Sequence, residues 1–267
     1  MREQRLVFGE VAELYDRARP GYPHALIDDV ISFAGPASAR LRALEVGAGT
    51  GKATVSFAAH GLEILALEPS AAMAAVARRN CERFGRVRIE ATSFEDWPAE
   101  PGGFGLVFCA QAWHWVTTEV RYRKTAMALS QMGALALFWH RTRGQEGPLR
   151  DELDDLYRRL VPELHGQRPG FPGLNPRVDD SEKGDELAGT GLFGDVRMRT
   201  YPWSATFTAD SYTDLLLTQS DHRLLADQAR ARLLDGVREI IARHGGEVVV
   251  PHSTFLVMGR LVPDRGQ

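Results

Sequence analysis

The chain is poor in cysteine, in lysine and in long apolar runs, and it carries no excess of positive charge. Its two cysteines, Cys81 and Cys109, form no C-x-x-C pair. That excludes a disulfide framework and fits a reducing, cytoplasmic setting. No apolar run is long enough to span a bilayer, and the opening MREQRLVFGE lacks the apolar centre of a secretory signal, so no membrane partner and no export are expected. The 32 lysines and arginines face 35 aspartates and glutamates, for a formal net charge of −3. Such a balance gives no global attraction to nucleic acid or to anionic lipid. Only Lys52, Lys124 and Lys183 are lysines, a bias that speaks of a GC-rich genome more than of function. There is no internal repeat and no low-complexity segment.

What is present is enough apolar material for a sizeable core: 44% of 267 residues are hydrophobic. Short apolar strands are expected at Ala43–Val46, Ile64–Leu67, Val87–Glu90, Phe104–Cys109 and Ala134–Trp139, with further strands at Asp195–Trp203 and Thr254–Val262. Helices are expected between them at Ala71–Phe84 and Glu119–Met132, and later at Leu149–Leu160, Glu182–Thr190, Asp210–Ser220 and Ala226–His244. This alternation predicts an α/β protein with a mostly parallel sheet covered on both faces. Residues 1–36 read as an N-terminal helical segment, 37–142 as the core, 143–180 as a charged, Pro/Gly-rich insertion, and 181–267 as the rest of the core with a helical insertion at about 208–245.

The stretch Leu41–Pro69 carries the chemistry. Strand Ala43–Val46 runs into Gly47-Ala48-Gly49-Thr50-Gly51, a helix follows, and the next strand ends on Glu68. A glycine-rich first turn with an acid at the tip of the second strand holds an adenosine-containing cofactor. A dinucleotide turn wants a small residue at position 52, which here is Lys52. Glu45, two residues before the turn, would repel a pyrophosphate and suits an ammonium. S-adenosylmethionine carries an ammonium and a sulfonium and no phosphate. Its methionine part can approach the backbone at Gly47, Gly49 and Gly51 without obstruction, and Glu68 can accept hydrogen bonds from both ribose hydroxyls.

EVGAGTG and ALEPS resemble the first two motifs of the class I S-adenosylmethionine-dependent methyltransferases. FGEVAELYDRARPGYP, FCAQAWHW and TQSDHR narrow the resemblance to a bacterial branch of small-molecule methyltransferases related to the trans-aconitate type. It implies a Rossmann-like seven-stranded sheet of order 3-2-1-4-5-7-6, its last strand antiparallel, with two helical lids over the strand C-termini. It also implies that the N-terminal segment closes over the cofactor. Pro69 and Ser70 then follow Glu68 at the cofactor. The loop after strand three packs on adenine, through Ser93 and Phe94, with Glu95 or Asp96 as acceptor for the exocyclic amine. Gln111 lies near the methionine part and His114 faces the methyl acceptor, where an imidazole can serve as base.

Other residues follow from chemistry. The cofactor carboxylate needs a cation, and Arg19 is suited to it, with Tyr15 four residues before on one helix face. Tyr22, Trp115, His140 and His222 are expected in the acceptor pocket. The histidines at 114 and 140 share a rim, but no carboxylate follows His140, and no metal is expected. DNA amino-methylation calls for Asp/Asn-Pro-Pro-aromatic after strand four, where this chain has Ala110-Gln111-Ala112-Trp113, and Cys109 after Phe108 is a buried strand residue rather than a nucleophile. The reading is a methyltransferase acting on O, N or C of a small-molecule acceptor, releasing S-adenosylhomocysteine, as a monomer or homodimer. A cofactor-binding sensor or partner subunit without turnover remains open from these residues, and so does an NAD-dependent oxidoreductase, against which Lys52 and Glu45 argue.

Overall fold

A computed structural model describes residues 12–35, 41–142, 146–165 and 181–263. Two helices, α1 (Ala12–Ala18) and α2 (His24–Ala34), precede the sheet. The core then runs β1 (Arg42–Val46), α3 (Lys52–Ala58), β2 (Glu63–Leu67), α4 (Ala71–Cys81), β3 (Val87–Glu90), β4 (Phe104–Ala110), a single turn at Trp113–Trp115, α5 (Thr118–Ala128) and β5 (Leu129–Thr142). Helices α6 (Pro148–Leu160), α7 (Pro162–His165) and α8 (Ser181–Gly189) lead to β6 (Phe193–Thr208). Helices α9 (Ala209–Leu217), α10 (Ser220–Arg223) and α11 (Asp227–Arg243) stand between β6 and β7 (Glu247–Leu261).

The strands form one sheet of order β3-β2-β1-β4-β5-β7-β6, as expected. β1 to β5 pair in parallel, while β7 is antiparallel to both β5 and β6. Strand β1 is buried on both faces, so its apolar residues do not alternate with polar ones. One face packs Leu26, Ile27, Phe57 and Phe108. The other packs Leu44, Leu67, Trp97 and Trp113. Each fully buried Leu or Phe contributes about 1.5–3 kcal/mol through lost contact with water.

Three expectations are corrected. The helix expected over Glu119–Met132 ends at Ala128, and β5 starts at Leu129. The helix expected over Asp210–Ser220 stops at Leu217, and a separate turn, α10, begins at Ser220. Strands β6 and β7 are longer than their apolar runs. Beyond the last β5 pair, Thr142 with His252, they continue together to Thr208 with Glu247. Mutual backbone pairing sustains this extension. It carries α9–α11 past the C-terminal ends of the parallel strands, onto a third apolar cluster of Leu153, Leu156, Leu233, Val237 and Ile241. The Pro169–Pro176 loop lies outside the described residues, as do residues 1–11 of the N-terminal segment.

Candidate active site

Ligands of open α/β sheets bind outside the strand C-termini where the strand order reverses, here between β1 and β4. A cavity of about 420 Å³ lies there. Its lining includes Gly47, Gly49, Glu68, Pro69 and Gln111, with the exposed His114 at its rim. Tyr15, Arg19 and Tyr22 close it from the N-terminal side, and Tyr212, Leu215 and Gln219 from the β6–β7 insertion.

The glycine turn is built by steric need. Gly47 has φ 72, and a Cβ there would stand 2.5 Å from the Ala112 Cβ. Gly49 has φ 59 with open space where its side chain would be. Glu68 braces the turn: the Gly49 amide donates to Oε2 and the Ser70 amide to Oε1, each at 2.8 Å. A carboxylate oxygen can accept more than one donor. Thr50 Oγ1 and Gln111 Nε2 are buried on the same wall without a hydrogen-bond partner among the described residues. Gln111 has φ 64, which turns the chain sharply at the end of β4. A backbone cradle, a braced carboxylate and unmet buried polar atoms suit a polar, ribose-bearing ligand.

A methyltransferase domain model matches residues 43–133. An uncharacterized methyltransferase of Mycobacterium tuberculosis is 31% identical over 265 residues, covering 97% of this chain and 98% of the relative. The chain belongs to the S-adenosylmethionine-dependent methyltransferases. Its fold is similar to that of a proposed type II methyltransferase from Anaeromyxobacter dehalogenans (TM-score 0.64, 22% identity, covering 92% of this chain and 99% of that one). It is also similar to a Haemonchus contortus phosphoethanolamine N-methyltransferase in complex with phosphomonomethylethanolamine and S-adenosylhomocysteine (TM-score 0.54, 17% identity, 95% of this chain and 57% of that one). The cofactor of that family is S-adenosylmethionine, and the cradle above suits its ribose and methionine parts.

Within the methyltransferase site several expected residues stand elsewhere. Glu45, expected to face the cofactor ammonium, is fully buried and does not line the cavity. The Thr54 hydroxyl donates to its Oε2 at 2.5 Å. Burial, with the Glu68 charge adding to it, pushes its pKa up to about 8, so it is mostly a neutral acid at pH 7. Gly51 caps α3 at φ 84 and packs on Ala77 and Cys81 rather than lining the cavity. Ser70 is also absent from the lining: its hydroxyl accepts the Met73 amide and caps α4. His222 is buried beneath the wall, and it is the neighbouring Asp221 that lines the cavity.

The remaining expected residues do reach the cavity. Ser93, Phe94 and Glu95 line it, Phe94 being buried and overlain by the Lys124 ammonium at 5.5 Å. Glu95 Oε1 also accepts the Thr117 amide and hydroxyl, both at 3.0 Å. Asp96 turns away to bond Ser93. Of the two tryptophans flanking His114, Trp113 packs in the core and Trp115 lines the cavity. His114 itself is exposed on the turn, 4.8 Å from the Trp115 ring. Arg19 donates to Thr218 Oγ1 at 2.8 Å and to its carbonyl at 3.0 Å, tying the N-terminal segment to α9. It also lies over the Tyr15 ring.

Tyr22 stacks on His140, centroids 4.6 Å apart. His140 Nδ1 bonds Thr254 Oγ1 at 2.9 Å. Burial foremost, then His252 and Arg19, drive the His140 pKa down to about 3, so the ring is neutral at physiological pH and a weak proton acceptor. No group of three or more His, Cys, Asp or Glu able to hold a metal occurs among the described residues. Sequence reasoning missed Tyr212 and His252; in TQSDHR it pointed to His222, whereas Gln219, Ser220 and Asp221 are the residues that line the cavity. The extended hairpin brings Tyr212 and His252 in, and the apolar pattern of β6 and β7 does not mark that extension.

Proposed function

We propose that this methyltransferase moves the methyl group of S-adenosylmethionine to O, N or C of a small-molecule acceptor. One observation carries the reading: the wall bearing the cofactor cradle and the wall built from Tyr22 and the β6–β7 insertion enclose a single cavity of about 420 Å³. That volume suits small organic ligands. Residues 12–22 and 208–245 act as lids, while α6 packs behind the second one through Leu153 and Leu156.

In this reading Glu68 holds the ribose hydroxyls, Ser93 and Phe94 the adenine, Gly47 and Gly49 the methionine backbone, and Arg19 its carboxylate. Gln111, Tyr15 and Pro69 complete that half. Bound S-adenosylmethionine supplies an activated methyl: the acceptor lone pair forms the new bond as the carbon–sulfur bond breaks, its electron pair staying on sulfur. The chain aligns the acceptor, excludes water and takes up a proton where the acceptor releases one. Alignment supplies several kcal/mol of the barrier. His114, on the cavity rim, is the base; His140 holds the Tyr22 ring. The test is mass-spectrometric detection of S-adenosylhomocysteine with a panel of amines, acids and phenols. Accumulation only with an acceptor supports transfer. Cofactor binding with no acceptor-dependent product across the panel favours a sensor.

A further inference from the structure

Rings from β5, β6 and β7 meet beside the cavity. Val250, His252 and Thr254 stand two apart along β7 and so share one face of the sheet. Opposite His252 are Trp203 of β6 and Thr142 of β5, and opposite Thr254 is His140 of β5. Val250, His252, His140 and Thr142 all line the cavity. Trp203 stacks on His252, with centroids 4.3 Å apart and planes at 11°, and meets His140 edge-on at 5.1 Å. Its Nε1 donates to Thr254 Oγ1 at 2.9 Å. The indole is thus fixed by a hydrogen bond as well as by packing, and the His252 ring is fixed against it.

His252 is buried, and its Nδ1 lies 2.8 Å from the Val250 carbonyl oxygen. A carbonyl only accepts, so Nδ1 carries the proton, and Nε2 of the neutral ring is left with a lone pair. Burial holds the pKa below the ordinary histidine value, so the ring stays neutral and weakly basic at physiological pH. Among the described residues none donates a hydrogen bond to Nε2. One ring face lies on Trp203 and Nδ1 is turned to the backbone, so Nε2 is the polar atom this side chain has to offer the cavity. We propose that His252 determines specificity for the methyl acceptor, its Nε2 receiving a hydrogen bond from a hydroxyl or N–H group of that molecule.

This role rests on the methyltransferase reading of the cavity. A phenyl ring would stack on Trp203 equally well. The imidazole adds a bond to a backbone carbonyl, which fixes the tautomer, and a lone pair whose direction follows from it. Tyr22, Trp115, Leu215 and Val250 line the same cavity and suit a carbon skeleton or ring. A site that hydrogen-bonds a ligand O–H or N–H rejects the analogue lacking it, because its own polar atom is then buried unpaired. Pairing of β7 with a strand on each side holds the ring in place, as such discrimination requires.

Nitrogen NMR spectroscopy and calorimetry of protein saturated with S-adenosylhomocysteine test this. The probes are phenol and fluorobenzene, which differ in an O–H, and indole and benzofuran, which differ in an N–H. In the unmodified protein the His252 ring is expected as the Nδ1–H tautomer. Its Nε2 signal should move on addition of phenol or indole and stay in place with fluorobenzene or benzofuran. The donor probes should bind about three- to tenfold tighter than their counterparts, the range for a net neutral hydrogen bond. His252→Phe keeps an aromatic face on Trp203 and loses the lone pair, so it should bring each pair of probes within about twofold of one another. Its affinity for S-adenosylhomocysteine should stay within about twofold of the unmodified protein, which certifies its fold. An Nε2–H tautomer, an Nε2 signal that neither phenol nor indole moves, donor probes that bind no tighter than their counterparts, or a preference that survives in His252→Phe overturns the proposal. Failure of S-adenosylhomocysteine itself to bind would instead overturn the reading beneath it.

Discussion

Replacing Gly47 and Gly49 by alanine, one at a time, should separate two roles that the glycine turn combines. At Gly47 the backbone has φ 72 and the new methyl would stand 2.5 Å from the Ala112 Cβ. The left-handed conformation costs an alanine about 1–2 kcal/mol, and overpacking a tight site adds about 1–3 kcal/mol. Gly47→Ala should therefore lose about 2–5 kcal/mol of folding stability, measured by urea denaturation. At Gly49 the conformational cost is the same, with φ 59, but among the described residues nothing beyond its chain neighbours lies within 4 Å of the new methyl. Gly49→Ala should lose only about 1–2 kcal/mol. Its methyl projects where the cofactor belongs, so calorimetry should show affinity for S-adenosylhomocysteine falling about tenfold or more, beyond the stability loss. The double variant Gly47→Ala, Ala112→Gly removes the overlap and leaves the strain. It should recover about 1–3 kcal/mol relative to the single variant. Equal destabilisation at the two glycines, or no recovery on shortening Ala112, would refute this account of the turn.

Other outcomes follow from the same geometry. The buried carboxyl of Glu45 titrates at about 8 in the folded protein, above its unfolded value, so the folded state holds a proton that the unfolded state has released between about pH 4.5 and 8. Stability should fall as pH rises through that window, by up to about 1.4 kcal/mol per unit from this group, and Glu45→Gln should flatten the slope in denaturation curves. Glu68→Ala should weaken S-adenosylhomocysteine binding in calorimetry by about tenfold or more, because the turn amides at Gly49 and Ser70 lose their brace and the ribose its acceptor. His114→Ala should lower turnover about a hundredfold with cofactor affinity nearly intact; unchanged turnover removes His114 from proton transfer.

The glycine turn and Glu68 were legible because each is encoded locally, by glycine spacing and by an acid at a strand tip; the short apolar strands gave the α/β class, and the sheet order came from the family resemblance. Phe94, Gln111 and Trp115 follow for the same reason: they stand immediately after strands whose C-terminal ends face the cavity. The direction of Glu45 was not legible. Strand β1 is buried on both faces, so alternation, the usual guide to which way a strand residue points, is absent there. The acceptor wall was harder still. It depends on a hairpin sustained by backbone pairing from Thr208 to Glu247, which apolar patterning does not record. Within α10, Asp221 and His222 are adjacent, and a helix one turn long has no periodicity from which to choose the residue that faces the cavity.

A crystal structure with S-adenosylhomocysteine bound tests the central claim most directly. The account predicts the ribose hydroxyls on Glu68, the adenine against Phe94, the methionine backbone over Gly47 and Gly49, and the sulfur directed toward the part of the cavity lined by His114, Trp115 and Asp221. Density for the ligand anywhere else, or a sulfur turned away from that wall, would contradict it.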